Sequence, residues 1–225
     1  MDFFKLMQSL DELLFEIVSW FLFYPLTLWR MVRSPLRTMA SADIELKESA
    51  QRQFDDTIPP PLFLALTFIV IHVIELTVLG HSYLATVNPE LSRTIGSDTN
   101  LTVLRIMIIS LLPLTAAIRL LRARGMRIDR PAIKAPFYGQ CYAAALFGIM
   151  LALAFVAEGR ELSYTGPAFL SVMALAFLWL FLIEARWFAA QLNASFGRGA
   201  WQAAILMAEW VVLVAVVMVF FATRR

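Results

Sequence analysis

A single cysteine, Cys141, excludes an intramolecular disulfide and a thiolate-built metal centre, because each needs at least two. Histidine is almost as scarce, with only His72 and His81. Charge is thin: Asp, Glu, Lys and Arg make up 16% of the 225 residues while 60% are hydrophobic, against roughly 25% charged and 45–50% apolar in an average soluble domain. No Gly-x-Ser-x-Gly elbow, no His-Glu-x-x-His pair and no phosphate-cradling glycine loop occurs. These shortages point away from an enzyme, a metal site and a bound cofactor. The start, Met-Asp-Phe-Phe, has neither a basic lead nor a small-residue cleavage site, so no removable signal peptide is expected.

What the chain has instead is length of apolar sequence. Five runs, at about Leu62–Gly80, Leu101–Leu121, Phe137–Ala157, Thr165–Ala185 and Trp201–Ala222, are each long enough to cross a bilayer, which takes roughly 20 residues. They lack the two-residue alternation of a barrel strand, so they predict helices. Pro59, Pro60 and Pro61 mark the start of the first run and Gly166-Pro167 the start of the fourth, where a missing amide donor costs little. Gly80 and Asn88-Pro89 close the first run and open a polar loop. The expected fold is an all-α polytopic membrane bundle of five transmembrane helices (62–225), preceded by an N-terminal segment (1–61).

Lys and Arg set the expected orientation. Arg30, Arg33, Arg37, Lys47 and Arg52 precede the first run; Arg119, Arg122, Arg124, Arg127, Arg130 and Lys134 follow the second; Arg186 and Arg198 follow the fourth. The opposite loops offer only Arg93 and Arg160. This predicts a cytoplasmic N-terminus and a C-terminus on the outer side, against the minor vote of Arg224 and Arg225. The Arg119–Lys134 cluster adjoins a span, so it reads as an orientation determinant that attracts anionic lipid headgroups, not nucleic acid.

Two stretches of the N-terminal segment are open to alternatives. Leu13–Trp29 is almost wholly apolar but short, with Pro25 near its end. It reads as an interfacial or re-entrant helix anchored by Trp20, Tyr24 and Trp29, with a sixth span as the alternative. Residues 38–58 mix Asp43, Glu45, Lys47 and Glu48 with polar residues. A solvated linker is the simpler reading, a surface helix over Ala40–Phe54 the other.

Charges inside the runs are the candidate functional residues, because an ionisable group in hydrocarbon is costly and rare. Glu75 and Arg105 fall at matching depth on neighbouring antiparallel helices, which predicts an ion pair: either a structural clamp or part of a polar cavity. His72 stands one turn before Glu75, a spacing that suits a proton relay or, with further ligands, a metal. A hydrogen bond to a neighbouring helix is the plainer role for it. Glu209 has no obvious basic partner at its depth, which leaves a proton-carrying carboxyl, a contact with a partner subunit or a water-filled pocket. Glu184 and Arg186 read as boundary charges, and Tyr138 and Tyr142 as headgroup anchors. Pro113 predicts a kink, and Gly139 and Gly148 close helix approach.

Three strings carry a family resemblance: Phe23–Pro35 (Phe-Tyr-Pro-Leu-Thr-Leu-Trp-Arg-Met-Val-Arg-Ser-Pro), Pro59–Phe63 (Pro-Pro-Pro-Leu-Phe) and Ala135–Ala145 (Ala-Pro-Phe-Tyr-Gly-Gln-Cys-Tyr-Ala-Ala-Ala). With the layout of the spans, they resemble the Ypt-interacting-protein (Yip) type of membrane protein and its bacterial, permease-labelled relatives. The aspartate-leucine-tyrosine-glycine-proline element of that family does not occur here. The resemblance implies a five-helix membrane bundle and carries over no catalytic residue. The expected function is permease-like or transport-accessory, with Glu209, His72, Glu75 and Arg105 lining a polar intramembrane site and a homo-oligomer or membrane partner subunit completing it. The alternative is a non-catalytic scaffold that recruits lipids or partner proteins.

Overall fold

The structure, a computed structural model, describes residues 3–49, 53–54, 56–79, 98–158 and 165–223. These form seven helices: α1 (Phe3–Arg33), α2 (Pro35–Glu45), α3 (Pro60–Leu79), α4 (Asp98–Ala123), α5 (Arg130–Glu158), α6 (Thr165–Gln191) and α7 (Phe196–Thr223), with no strand among them. Five, α3 to α7, are long and apolar enough to cross a membrane. The chain is thus an all-helical membrane protein. The loops expected to hold Gly80, His81, Asn88-Pro89, Arg93 and Arg160 lie outside the described residues, as do Arg224 and Arg225.

Local chemistry sets the helix ends. Pro60 and Pro61 open α3, where their missing amides cost nothing. α4 stops at Gly125, whose φ of 65° lets Met126 donate back to the Leu121 carbonyl at 2.9 Å. α5 is capped by Asp129, which accepts from the Ala132 amide at 3.0 Å. It therefore begins at Arg130, ahead of the apolar run that starts at Phe137, and carries Pro136 within it. Asn193, at φ 47°, reverses the chain between α6 and α7 in the same way as Gly125.

α5 is the central helix, packing against α1, α2, α3, α4 and α6. Residues 139–148 are buried without a break. In lipid, apolar surface gives helices no drive to associate, so close packing of small residues must supply it. Ala143, Ala144 and Ala145 provide that in α5. Between α6 and α7 the small residues are Ala185 and Ala189 against Gly199 and Ala203. Large apolar side chains such as Val73, Leu175 and Val212 face outward, where lipid replaces water.

The N-terminal segment is more ordered than a linker reading allows. α1 is one continuous 31-residue helix through Pro25, so the re-entrant alternative, which needs a reversal, does not describe it. Its C-terminal half docks through tilted ring contacts: Tyr24 lies 5.2 Å from Phe63, and Phe63 lies 5.6 Å from Tyr142 of α5. The Tyr24 hydroxyl bonds Thr67 Oγ1 at 3.2 Å. α2 is helical over Pro35–Glu45, not Ala40–Phe54, and buries Thr38, Met39 and Ala42 against α5. Gly139 permits this, because a Cβ there would come within 2.9 Å of the Met39 carbonyl oxygen.

Candidate functional site

Glu209 has a partner after all. Arg119 of α4 donates to Glu209 Oε1 of α7 through Nη1 at 2.6 Å, with side-chain exposures of 14% and 35%. Arg119 does not belong with the loop cations that follow the second run, because it lies inside α4, which runs on to Ala123. Its position within the second apolar run was the available signal. Charge pairing answers the cost of placing either group in hydrocarbon. Arg119 Nε is buried without a partner among the described residues. Glu209 also lines a groove of about 520 Å³ between α4 and α7, walled by Ile118, Val212 and Leu213, with Arg122 at its rim.

Glu184 is not a boundary charge. α6 continues seven residues beyond it, to Gln191, and its side chain is fully buried. Gln140 Nε2 of α5, equally buried, donates to Glu184 Oε2 at 2.8 Å. That is the one polar contact of the carboxyl among the described residues. Glu184 Oε1 and Gln140 Oε1 are both buried without a hydrogen-bond partner among the described residues. Tyr142 likewise belongs to the core and not to a headgroup layer, its hydroxyl donating to the Ile58 carbonyl at 3.3 Å.

The remaining candidates are placed but not assembled. Glu75 is fully buried on α3, with His72 half-buried one turn earlier. His72 Nδ1 is buried without a partner among the described residues. Arg105 stands on α4, but its side chain lies outside the described residues, and so does the expected Glu75–Arg105 pair. α3 packs on α4 and α5, whereas α7 packs on α4 and α6. Glu209 and the His72–Glu75 pair are thus carried by helices with little mutual contact, and the expected common polar path is not brought together. No cluster of three or more His, Cys, Asp or Glu side chains suited to a metal occurs among the described residues.

The basic residues gather at one end of the bundle, formed by the starts of α3, α5 and α7 and the ends of α4 and α6. Arg119 and Arg122 are on α4, Arg124 and Arg127 in the turn, and Arg130 and Lys134 on the first turns of α5. Arg124 clasps the end of α6: its Nε and Nη2 reach the Gln191 carbonyl at 3.2 and 2.6 Å, and Nη2 reaches Gln191 Oε1 at 2.6 Å. At the same end Arg30 meets Asp56 at 3.4 Å. Comparison with protein-family models, curated proteins and solved structures returned no match. The Yip resemblance therefore rests on the quoted strings and the layout of the spans.

Proposed function

We propose that this chain is a non-catalytic membrane scaffold or accessory subunit, whose intramembrane polar groups hold helices together and do not form a transport path. The observation that carries this reading is the Arg119–Glu209 pair. The residue with the best claim to be a free intramembrane charge is tied to a neighbouring helix, as structural charges in bilayers are. The docked α1–α2 segment supports the same reading, since it gives the basic end a fixed surface for lipids or partner proteins. On this reading the protein sits in a bacterial inner membrane with its basic end in the cytoplasm.

One observation favours a permease-like second reading: Glu184 is fully buried with no counter-charge among the described residues, the setting in which intramembrane carboxyls carry protons or ions. Proteoliposomes separate the two. The scaffold reading expects Glu184→Gln and Glu209→Gln to shift thermal stability while proton and solute fluxes equal those of protein-free vesicles. A flux that wild type supports and either variant abolishes, with the fold intact, would establish transport. A reporter fused to the C-terminus tests orientation, and a cytoplasmic signal would overturn the five-span assignment.

A further inference from the structure

At the basic end, between α2, the end of α4, the start of α5 and the end of α6, lies a half-open pocket of about 400 Å³. That volume falls within the range of small-ligand sites. Three cations line it, Lys47, Arg124 and Lys134, against one acid, Asp43. Gathering like charges around one concavity is unfavourable unless an anion offsets them. Arg124 is also pre-positioned: Gln191 holds its Nε and Nη2, while Nη1 makes no hydrogen bond among the described residues. A guanidinium held in this way suits a planar or tetrahedral oxyanion.

The rest of the lining is apolar. Leu120 and Leu121, both buried in the bundle, form a floor with the half-buried Leu46 beside them. A small hydrated anion would gain nothing from that floor, whereas a phosphate attached to an apolar body would use both halves. We propose that the pocket binds a phosphate group carried on an apolar body, with Lys47, Arg124 and Lys134 as anion contacts and Asp43 as an opposing charge that limits affinity. The proposal rests on the membrane reading only in placing this end at a headgroup layer. Binding measured in detergent does not depend on orientation or transport, so the two can fail separately.

The test uses the full chain in a neutral detergent, titrated with short-chain phosphatidic acid, with phosphatidylcholine of the same length, and with inorganic phosphate alone. Lys47→Gln/Lys134→Gln removes two pocket cations that make no side-chain hydrogen bond among the described residues, Lys134 giving up a place 5.5 Å over the Tyr138 ring. Arg37→Gln/Arg127→Gln removes two cations of the same end that do not line the pocket. At about five-fold per cation, the pocket pair should weaken phosphatidic acid binding on the order of 20-fold, and the outer pair less than about two-fold. Asp43→Asn should tighten it, a gain that a purely structural role would not produce. Thermal melts confirm that each variant is folded. Phosphatidic acid binding much tighter than inorganic phosphate binding supports a phosphate on an apolar body, whereas inorganic phosphate binding as tightly, with the same residue dependence, would show that the apolar floor adds nothing and would overturn it. Equal losses from both pairs, equal binding of phosphatidylcholine, or no binding by wild type would each overturn the proposal.

Discussion

Gly197 and Gly199 stand two residues apart at the start of α7 and should respond to alanine with opposite signs. A methyl group on Gly197 meets nothing within 4 Å. On Gly199 it overlaps the Ala185 carbonyl oxygen and lies 2.8 Å from the Ala189 amide nitrogen and 2.9 Å from its Cβ. None of these atoms is the end of a flexible side chain, so α6 and α7 must separate. Alanine gains up to about 1 kcal/mol over glycine in a helix, while overpacking costs about 1–3 kcal/mol. Gly197→Ala should therefore be neutral or slightly stabilising, and Gly199→Ala, which three atoms under 3.0 Å put at the upper end of the overpacking cost, about 2–3 kcal/mol, should lose about 1–2 kcal/mol net. At about 2–4 °C per kcal/mol for a chain of this size, Gly199→Ala should melt roughly 2–8 °C lower. Cys141 supplies the assay. It is the only thiol and is fully buried, so a dye that fluoresces on thiol reaction reports the opening of α5 during a thermal scan in mild detergent. A Gly199→Ala protein that melts at or above wild type would refute the close-approach argument.

Three further outcomes are expected. Arg119→Gln and Glu209→Gln should each cost about 1–3 kcal/mol, below the full buried-pair figure because both groups are partly exposed, and the double variant should cost about 1 kcal/mol less than their sum; strict additivity in melts would mean the pair is not coupled. Glu184→Leu should cost about 1–3 kcal/mol by leaving the Gln140 amide without an acceptor, with partial recovery in Gln140→Leu/Glu184→Leu; a double variant less stable than either single one would contradict this. Gly139→Val should push α2 off α5 and speed tryptic cleavage after Arg37 and Lys47, so unchanged digestion would count against the Met39 contact.

The spanning helices were legible because hydropathy alone defines them: the five apolar runs and the five candidate spans match, with boundaries moved by a few residues. The site was read less well, for local reasons. Ending the fourth run at Ala185 put Glu184 at an interface, whereas α6 extends to Gln191. Treating Arg119 as a loop residue hid the partner of Glu209, which is 90 residues away in sequence. α2 was hidden by its charges, since only Thr38, Met39 and Ala42 on one face are buried. Its receptor, Gly139, carries no side chain by which a pattern could announce it.

The docking of α2 on α5 also bears on the order in which the protein assembles. Met39 leaves the ribosome on the order of 100 residues before Gly139, which at 5–20 residues per second is a wait of about 5–20 s. During that interval the buried face of α2 has no α5 to receive it, and the Phe63 ring that Tyr24 packs on has no Tyr142 behind it. The N-terminal helices must therefore be sheltered in some other way, by the bilayer surface or by a chaperone, until α5 is inserted. Their final packing is a late event in biogenesis, although they are made first.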